Sequence, residues 1–279
     1  MIIPENLTEF FYWVRERSEN LWASEDWNKH EFYGAKWQPL TEPQIDEVEQ
    51  RYGVKFNHEH REFLKILHAV DRKEIIEYDG ENDEMIFEER TWFYNWLKDE
   101  QEIMERLHGL PDWFYSDVEG RNQVWLKSWG KKPESKEDRE KIFQNWFSKI
   151  PQLLPIYGHR FVVGDDNLKW KPIISSWGSD IIVMGWDFRT YLLNEIRNHL
   201  DIYEDVFDEE DHMFYPEVLP EIQEIFNQNF KYDETKDVPY FKEMMLYWSS
   251  GWSSFGMEYH PKGTTVHPIV KTDIAEENN

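Results

Sequence analysis

Apolar residues first recur at helical spacing in LTEFFYWVRERSENLW, residues 7–22, where Phe10, Trp13 and Val14 line up with the stem of Arg17. That spacing predicts an amphipathic helix. An aromatic stretch with a glycine, HEFYGAKWQPL, interrupts the pattern. It resumes in LTEPQIDEVEQRYGVKF, where Ile45, Val48 and Tyr52 form the next stripe. Thr41 with Gln44 three residues later has the spacing of a capping box, and Pro43 falls in the first turn, where a missing N–H costs nothing. Gly53 is placed to end this helix in the left-handed conformation. Asn57 is placed to cap a second helix over 58–70, HEHREFLKILHAV, with Phe63, Leu67 and Val70 inward. The two read as a compact helical hairpin.

The next eighty residues alternate between broken and periodic segments. EIIEY predicts a short strand and DGEND a turn, and residues 91–107, TWFYNWLKDEQEIMERL, predict a helix capped by Thr91. RNQVWLKSW, 121–129, alternates as a strand does. KKPESKEDREKIFQNWFSKIP predicts a helix with Ser135 and Asp138 at capping-box spacing and Ile142, Trp146 and Ile150 on one face.

The pattern then shifts to period two. LLPIY, RFVVG, PIISSW and DIIVMGW are short, rich in β-branched residues and bounded by turn residues. Gly178-Ser179 separates the last two as a two-residue hairpin turn does. The consecutive apolar residues of IIVMGW point to a strand covered on both faces. Asp187 is placed to cap the helix FRTYLLNEIRNHL. Beyond it come an acidic stretch (DEEDH) expected to be a linker, a helix near PEIQEIFNQNF and another near VPYFKEMMLYWSS. Helices, then a β-meander, then helices, predict an α+β fold rather than a parallel α/β sheet. Residues 1–200 would form one α+β domain, and 201–279 an acidic linker and C-terminal helical extension packed on that same domain.

Composition narrows the functional classes. Lysine and arginine number 31 against 56 aspartates and glutamates, a formal net charge of −25 over 279 residues. Such a field repels nucleic acid and anionic membranes and draws in basic partners. There is no cysteine, so disulfides, thiolate zinc sites and cysteine nucleophiles are excluded. With 15 tryptophans, 14 tyrosines and 18 phenylalanines the chain is far too aromatic to stay unfolded. MIIPENLTEFFYW lacks the basic and apolar regions of a signal peptide, and no apolar run is long enough for a span, so a cytoplasmic location is expected.

Candidate chemistry gathers in LPIYGHRFVVGDDN. His159 as base, Asp165 or Asp166 to orient it and Arg160 to hold an anion would suit a hydrolytic or carbohydrate-active enzyme. Adjacent strand residues such as His159 and Arg160 are expected on opposite faces, however, and Gly-Asp-Asp-Asn is ordinary turn sequence. HEHRE suggests a metal, but His58 and His60 are two apart on a helix and face away from each other. DVFDEEDH lacks the glycine of a calcium loop. GxGxxG, GxxxxGK and GxSxG are all absent. No catalytic residue, metal or cofactor is expected.

Two groups of residues carry a family resemblance. Between Leu40 and Val70, a capped helix ends in Tyr52-Gly53-Val54 and is followed by a helix containing Arg61-Glu62-Phe63-Leu64. Further on come Phe93 to Leu97, Trp129-Gly130, Pro155 to Phe161, Ser175 with Asp180 to Ile182, and Gly185 to Leu192, in that order. Over about residues 40–197 the chain resembles the SUKH superfamily of fungal cell-wall-assembly regulators and bacterial immunity proteins. It departs at Phe56-Asn57, where the family usually has a proline, and at Val70-Asp71, where Asn-Gly-Gly is common. The resemblance implies a SUKH-like α+β fold, with N-terminal helices packed on a mostly antiparallel curved sheet, no catalysis and a protein-binding role. Many members neutralise secreted nuclease or other polymorphic toxins by direct binding, and fungal members act as regulatory scaffolds. The expected partner is therefore a basic toxin domain, not nucleic acid and not a membrane. The residues expected to meet it are Trp129, Tyr157, His159, Trp177 and Asp180, with Glu81, Asp83 and Glu84 contributing charge.

Overall fold

The structure is a computed structural model that describes residues 2–79, 84–120, 122–231, 233–248 and 251–256. In chain order its elements are α1 (Leu7–Trp22), β1 (Trp37–Gln38), α2 (Glu42–Tyr52), α3 (His58–Ile66), β2 (Ala69–Val70), β3 (Lys73–Asp79) and β4 (Met85–Thr91). There follow α4 (Glu100–Glu119), α5 (Lys136–Phe147), β5 (Gln152–Tyr157), β6 (Arg160–Gly164), β7 (Ile173–Trp177), β8 (Asp180–Gly185) and α6 (Phe188–Glu195). The last are β9 (Tyr203–Asp208), β10 (Met213–Val218), α7 (Pro220–Asn229) and α8 (Lys242–Tyr247). The strand pairings resolved residue by residue are antiparallel, so the fold is α+β. No helix among the described residues is long and apolar enough to cross a membrane.

The chain forms two compact units. The first unit takes residues 1–100, 156–158 and 187–229, and the second takes 101–155, 159–186 and 230–279. The C-terminal residues are thus not one appendage. Residues 201–229 belong to the first unit, whereas α8 and Trp252–Phe255 supply core to the second.

In the first unit the local signals act as the sequence indicates. Asn6 Oδ1 accepts the Glu9 N–H at the start of α1 (3.1 Å). Gln44 Oε1 accepts from both the N–H and the hydroxyl of Thr41 (2.9 and 2.8 Å), and Gly53 closes α2 at φ 64°. Asn57 Oδ1 accepts the His60 N–H (2.9 Å). Arg61 then clasps α3 to α2 through Glu42 (2.6 Å), Asp46 (2.8 Å) and Glu49 (3.1 Å). Phe11, Phe63 and Phe188 bring α1, α3 and α6 together, with ring centroids 5.2–6.0 Å apart. Each such buried ring contributes roughly 2 kcal/mol of transfer free energy. α3 stops at Ile66 rather than running to residue 70, because His68 turns to φ 64° and Ala69–Val70 pair with β1.

Residues 91–107 are not one helix. Thr91 ends β4 opposite Lys73, Phe93 sits at φ 60°, and the Asn95 carbonyl accepts from Lys98 and Asp99 in a tight turn. This turn buries Trp92, Phe93, Tyr94 and Trp96, and that burial outweighs local helix preference. α4 begins only at Glu100 and continues through Pro111 to Glu119.

The second unit is built on a sheet of order β5-β6-β7-β8, to which β5 contributes residues 152–155. Phe114, Phe143, Phe161, Ile174, Trp186 and Met244 are fully buried in its core. Ser254 ties the C-terminal segment in, its Oγ accepting the Val183 N–H (2.8 Å) and its carbonyl the Trp186 indole N–H (3.0 Å). β8 alternates between buried and half-buried residues, so one of its faces is only partly covered. Residues 122–129 form no strand. The Val124 N–H donates to the Asp117 carbonyl of α4 (2.9 Å) and the Trp125 indole to the Gly130 carbonyl (2.8 Å), and a short 3₁₀ turn follows at Lys127–Trp129. α6 is also shorter than its periodicity suggests, ending at Glu195 before a 3₁₀ turn at Arg197–His199.

Candidate interaction surfaces

Two two-stranded hairpins of the first unit leave large apolar side chains exposed. β3–β4 pairs from Lys73↔Thr91 to Asp79↔Met85. Ile75, Tyr78, Met85 and Phe87 are all exposed on it. Glu84 lies beside this hairpin, exposed, while Glu81 and Asp83 lie outside the described residues.

β9–β10 pairs from Tyr203↔Val218 to Asp208↔Met213. The DEEDH stretch is therefore the tip of a hairpin and not a linker. Asp208 Oδ1 accepts the N–H groups of Glu210 (2.7 Å) and Asp211 (3.0 Å), which closes the turn. Tyr215 donates its hydroxyl to Asp211 Oδ2 (3.0 Å). Side chains alternate along each strand, so Phe207 and Phe214, directly opposite, share a face with Asp205 and Pro216. Their ring centroids are 5.1 Å apart, yet the two residues remain 47% and 65% exposed. Sequence reasoning missed this pair. The signal was present as two short aromatic runs, VFD and MFY, on either side of a turn-forming acidic segment.

The residues expected to meet a partner fall in both units. Tyr157 belongs to the first unit, where its hydroxyl donates to Glu74 Oε2 (2.7 Å) and its ring lies 5.9 Å from Phe93. His159, Trp177 and Asp180 belong to the second. His159 occupies the turn before β6, with Gly158 at φ 53°, so it does not alternate with Arg160 as a strand neighbour would. Instead Arg160 Nη1 lies 2.5 Å from His159 Nε2, and the imidazole meets the Trp177 indole edge-on at 5.6 Å. Trp177 is 72% exposed and Asp180 faces it across the β7–β8 turn.

Asp165 and Asp166 have local roles. Asp165 Oδ1 accepts from Asn167 N–H (2.9 Å), and the Asp166 carbonyl accepts from Lys171 Nζ (2.8 Å). Beside Trp177 is a pocket of about 390 Å³ between Arg106, Trp113 and Asp117. Asp117 Oδ2 accepts both the N–H (2.8 Å) and hydroxyl (2.6 Å) of Ser179, fixing the turn. Trp129 lines a different, open groove of about 740 Å³ with Trp146, Lys149, Tyr240 and Lys242.

The HEHRE histidines diverge as helical geometry requires. His58 is exposed, whereas His60 is fully buried among Phe56 (4.6 Å), Phe188 (5.6 Å) and Phe63 (6.2 Å). Burial pushes His60 down to about 3. Burial likewise takes His68 to about 4 and His199 to about 4. Among the described residues no three histidines, aspartates or glutamates come together as a metal site.

Comparison of the chain with protein-family models, with curated proteins and with solved structures finds no match.

Proposed function

We propose that this chain is a non-enzymatic protein-binding module of SUKH type, an immunity protein that neutralises a basic toxin by covering its active surface. One observation carries the reading more than any other: exposed aromatic and aliphatic side chains stand on hairpins dense in carboxylates. Monomeric surfaces seldom leave such side chains clustered in water, and the combination of apolar anchors with an acidic rim suits a cationic protein partner. The net charge of −25 speeds encounter with that partner. The order of motifs from Leu40 to Leu192 supports the SUKH assignment, under which a regulatory scaffold is the other binding role.

The test is capture of a partner with the full chain from its host, then reconstitution from pure components. We expect a stoichiometric complex in which the partner's own activity is lost. Its on-rate should fall about tenfold or more between low salt and 0.5 M salt, with the off-rate much less affected. A chain that forms no stoichiometric complex, or that turns over a substrate, would remove the proposal.

A further inference from the structure

We infer that the β9–β10 arm is where this chain grips its partner, and that the occupant is a lysine- and arginine-rich protein surface with an apolar cleft. The inference rests on the binding role proposed above and names the surface that performs it.

The arm has a fixed root and an unsupported tip. Arg17 of α1 donates from Nε to the Leu200 carbonyl (2.7 Å) and from Nη2 to the Asp201 carbonyl (2.8 Å), just before β9. Leu219 N–H donates to the Ile202 carbonyl (3.0 Å) and closes the base of the hairpin. Beyond the base both faces are exposed, Phe207 and Phe214 on one, Val206, Met213 and Tyr215 on the other. A two-stranded ribbon that buries neither face is marginal in water, so its apolar residues contribute little to the fold. Paired aromatic anchors within a polar rim are what interface energetics concentrate on.

Charge identifies what covers the arm. Residues 203–218 hold seven carboxylates and no lysine or arginine. Phosphate backbones and anionic lipid are repelled from such a surface. So is a second copy of this chain, at −25 each. Pro216 removes an N–H from β10, which works against strand addition along that edge. A cationic protein surface meets all these conditions, and an arginine among its residues can also lie over the Phe207 or Phe214 ring.

A photo-crosslinking residue placed at Phe214 in the full chain, with the exposed Tyr12 on α1 as the control position, tests the surface in the host. We expect an adduct from position 214 and none from position 12, with a protein rich in lysine and arginine. With that purified protein, F207A/F214A should bind at least tenfold more weakly while melting at the wild-type temperature. E209K/E210K should slow association at least tenfold without unfolding the arm, whose turn is closed by Asp208. Equal binding by the wild type and both variants, or an adduct only at Tyr12, would overturn the arm and leave the proposed function standing. An adduct with an acidic protein or with a second copy would overturn the occupant. A wild-type chain that binds no protein would remove both.

Discussion

His68 takes the backbone N–H of Trp96 on Nε2 at 3.0 Å while its Nδ1 lies 2.8 Å from the Gln38 carbonyl. A neutral imidazole protonated on Nδ1 satisfies both contacts at once. One buried side chain thereby joins the β1–β2 ladder to the aromatic turn at residues 92–97, where no helix forms. Replacing it leaves a buried donor, the Trp96 N–H, and a half-buried acceptor, the Gln38 carbonyl, without that partner. His68→Ala should lower unfolding free energy by about 3 kcal/mol, read from the urea midpoint. A loss below about 1 kcal/mol would mean that the turn is held by its aromatic packing alone.

His60 makes the opposite case. Neither ring nitrogen has a hydrogen-bond partner, and aromatic rings surround it. Buried polar groups without partners destabilise a fold, and an apolar replacement of similar volume relieves that. His60→Met should therefore raise stability by about 1 kcal/mol or leave it unchanged. Destabilisation by more than about 2 kcal/mol would contradict this and point to a role for the imidazole itself.

The same burial gives a pH dependence with a definite sign. His60, His68 and His199 each take a proton near the ordinary 6.5 when unfolded, but only at about 3, 4 and 4 in the fold. Between pH 6.5 and 4 the unfolded chain binds more protons, so stability falls as pH falls, by up to about 1.4 kcal/mol per histidine per pH unit. Above pH 6.5 these groups contribute no further change. Urea unfolding at pH 7 and pH 5 should differ by a few kcal/mol, and His60→Met should remove about one of three shares. A flat profile over this window would show that the fold does not hold these three imidazoles neutral.

Arg61 predicts unequal couplings. Its partner Glu49 is 10% exposed, whereas Asp46 is 67% exposed. Burial tends to raise Glu49, yet Lys55, the Phe56 N–H and Arg61 together hold it below the usual carboxylate range. Double-mutant cycles should give a coupling for Arg61–Asp46 near the ~0.5 kcal/mol of surface pairs, and two- to threefold more for Arg61–Glu49. Equal couplings would show that burial does not discriminate between them.

The elements legible in the sequence were those specified within four or five residues. The Thr41–Gln44 box, Gly53, Asn57, Ser135 and Asp187 mark helix ends because each cap bonds its own first or last turn. β5 to β8 were legible because β-branched runs between turn residues have few alternatives. The candidate surfaces were less so. His159 meets Trp177 because a turn moves His159 off the strand alternation, which no local pattern specifies. Phe207 and Phe214 were hidden because acidic residues around them resemble a solvated linker.

By itself the sequence determined the caps, the periodic faces, the α+β class and the strongly negative charge, since these depend on composition and on neighbours along the chain. Tertiary structure alone decided that Trp92 to Trp96 turn instead of coiling, that residues 201–229 and 230–256 join different units, and that an acidic stretch becomes the tip of an arm. Each of those outcomes depends on burial or strand pairing between residues distant in sequence, and such contacts override a local preference worth less than about 1 kcal/mol per residue.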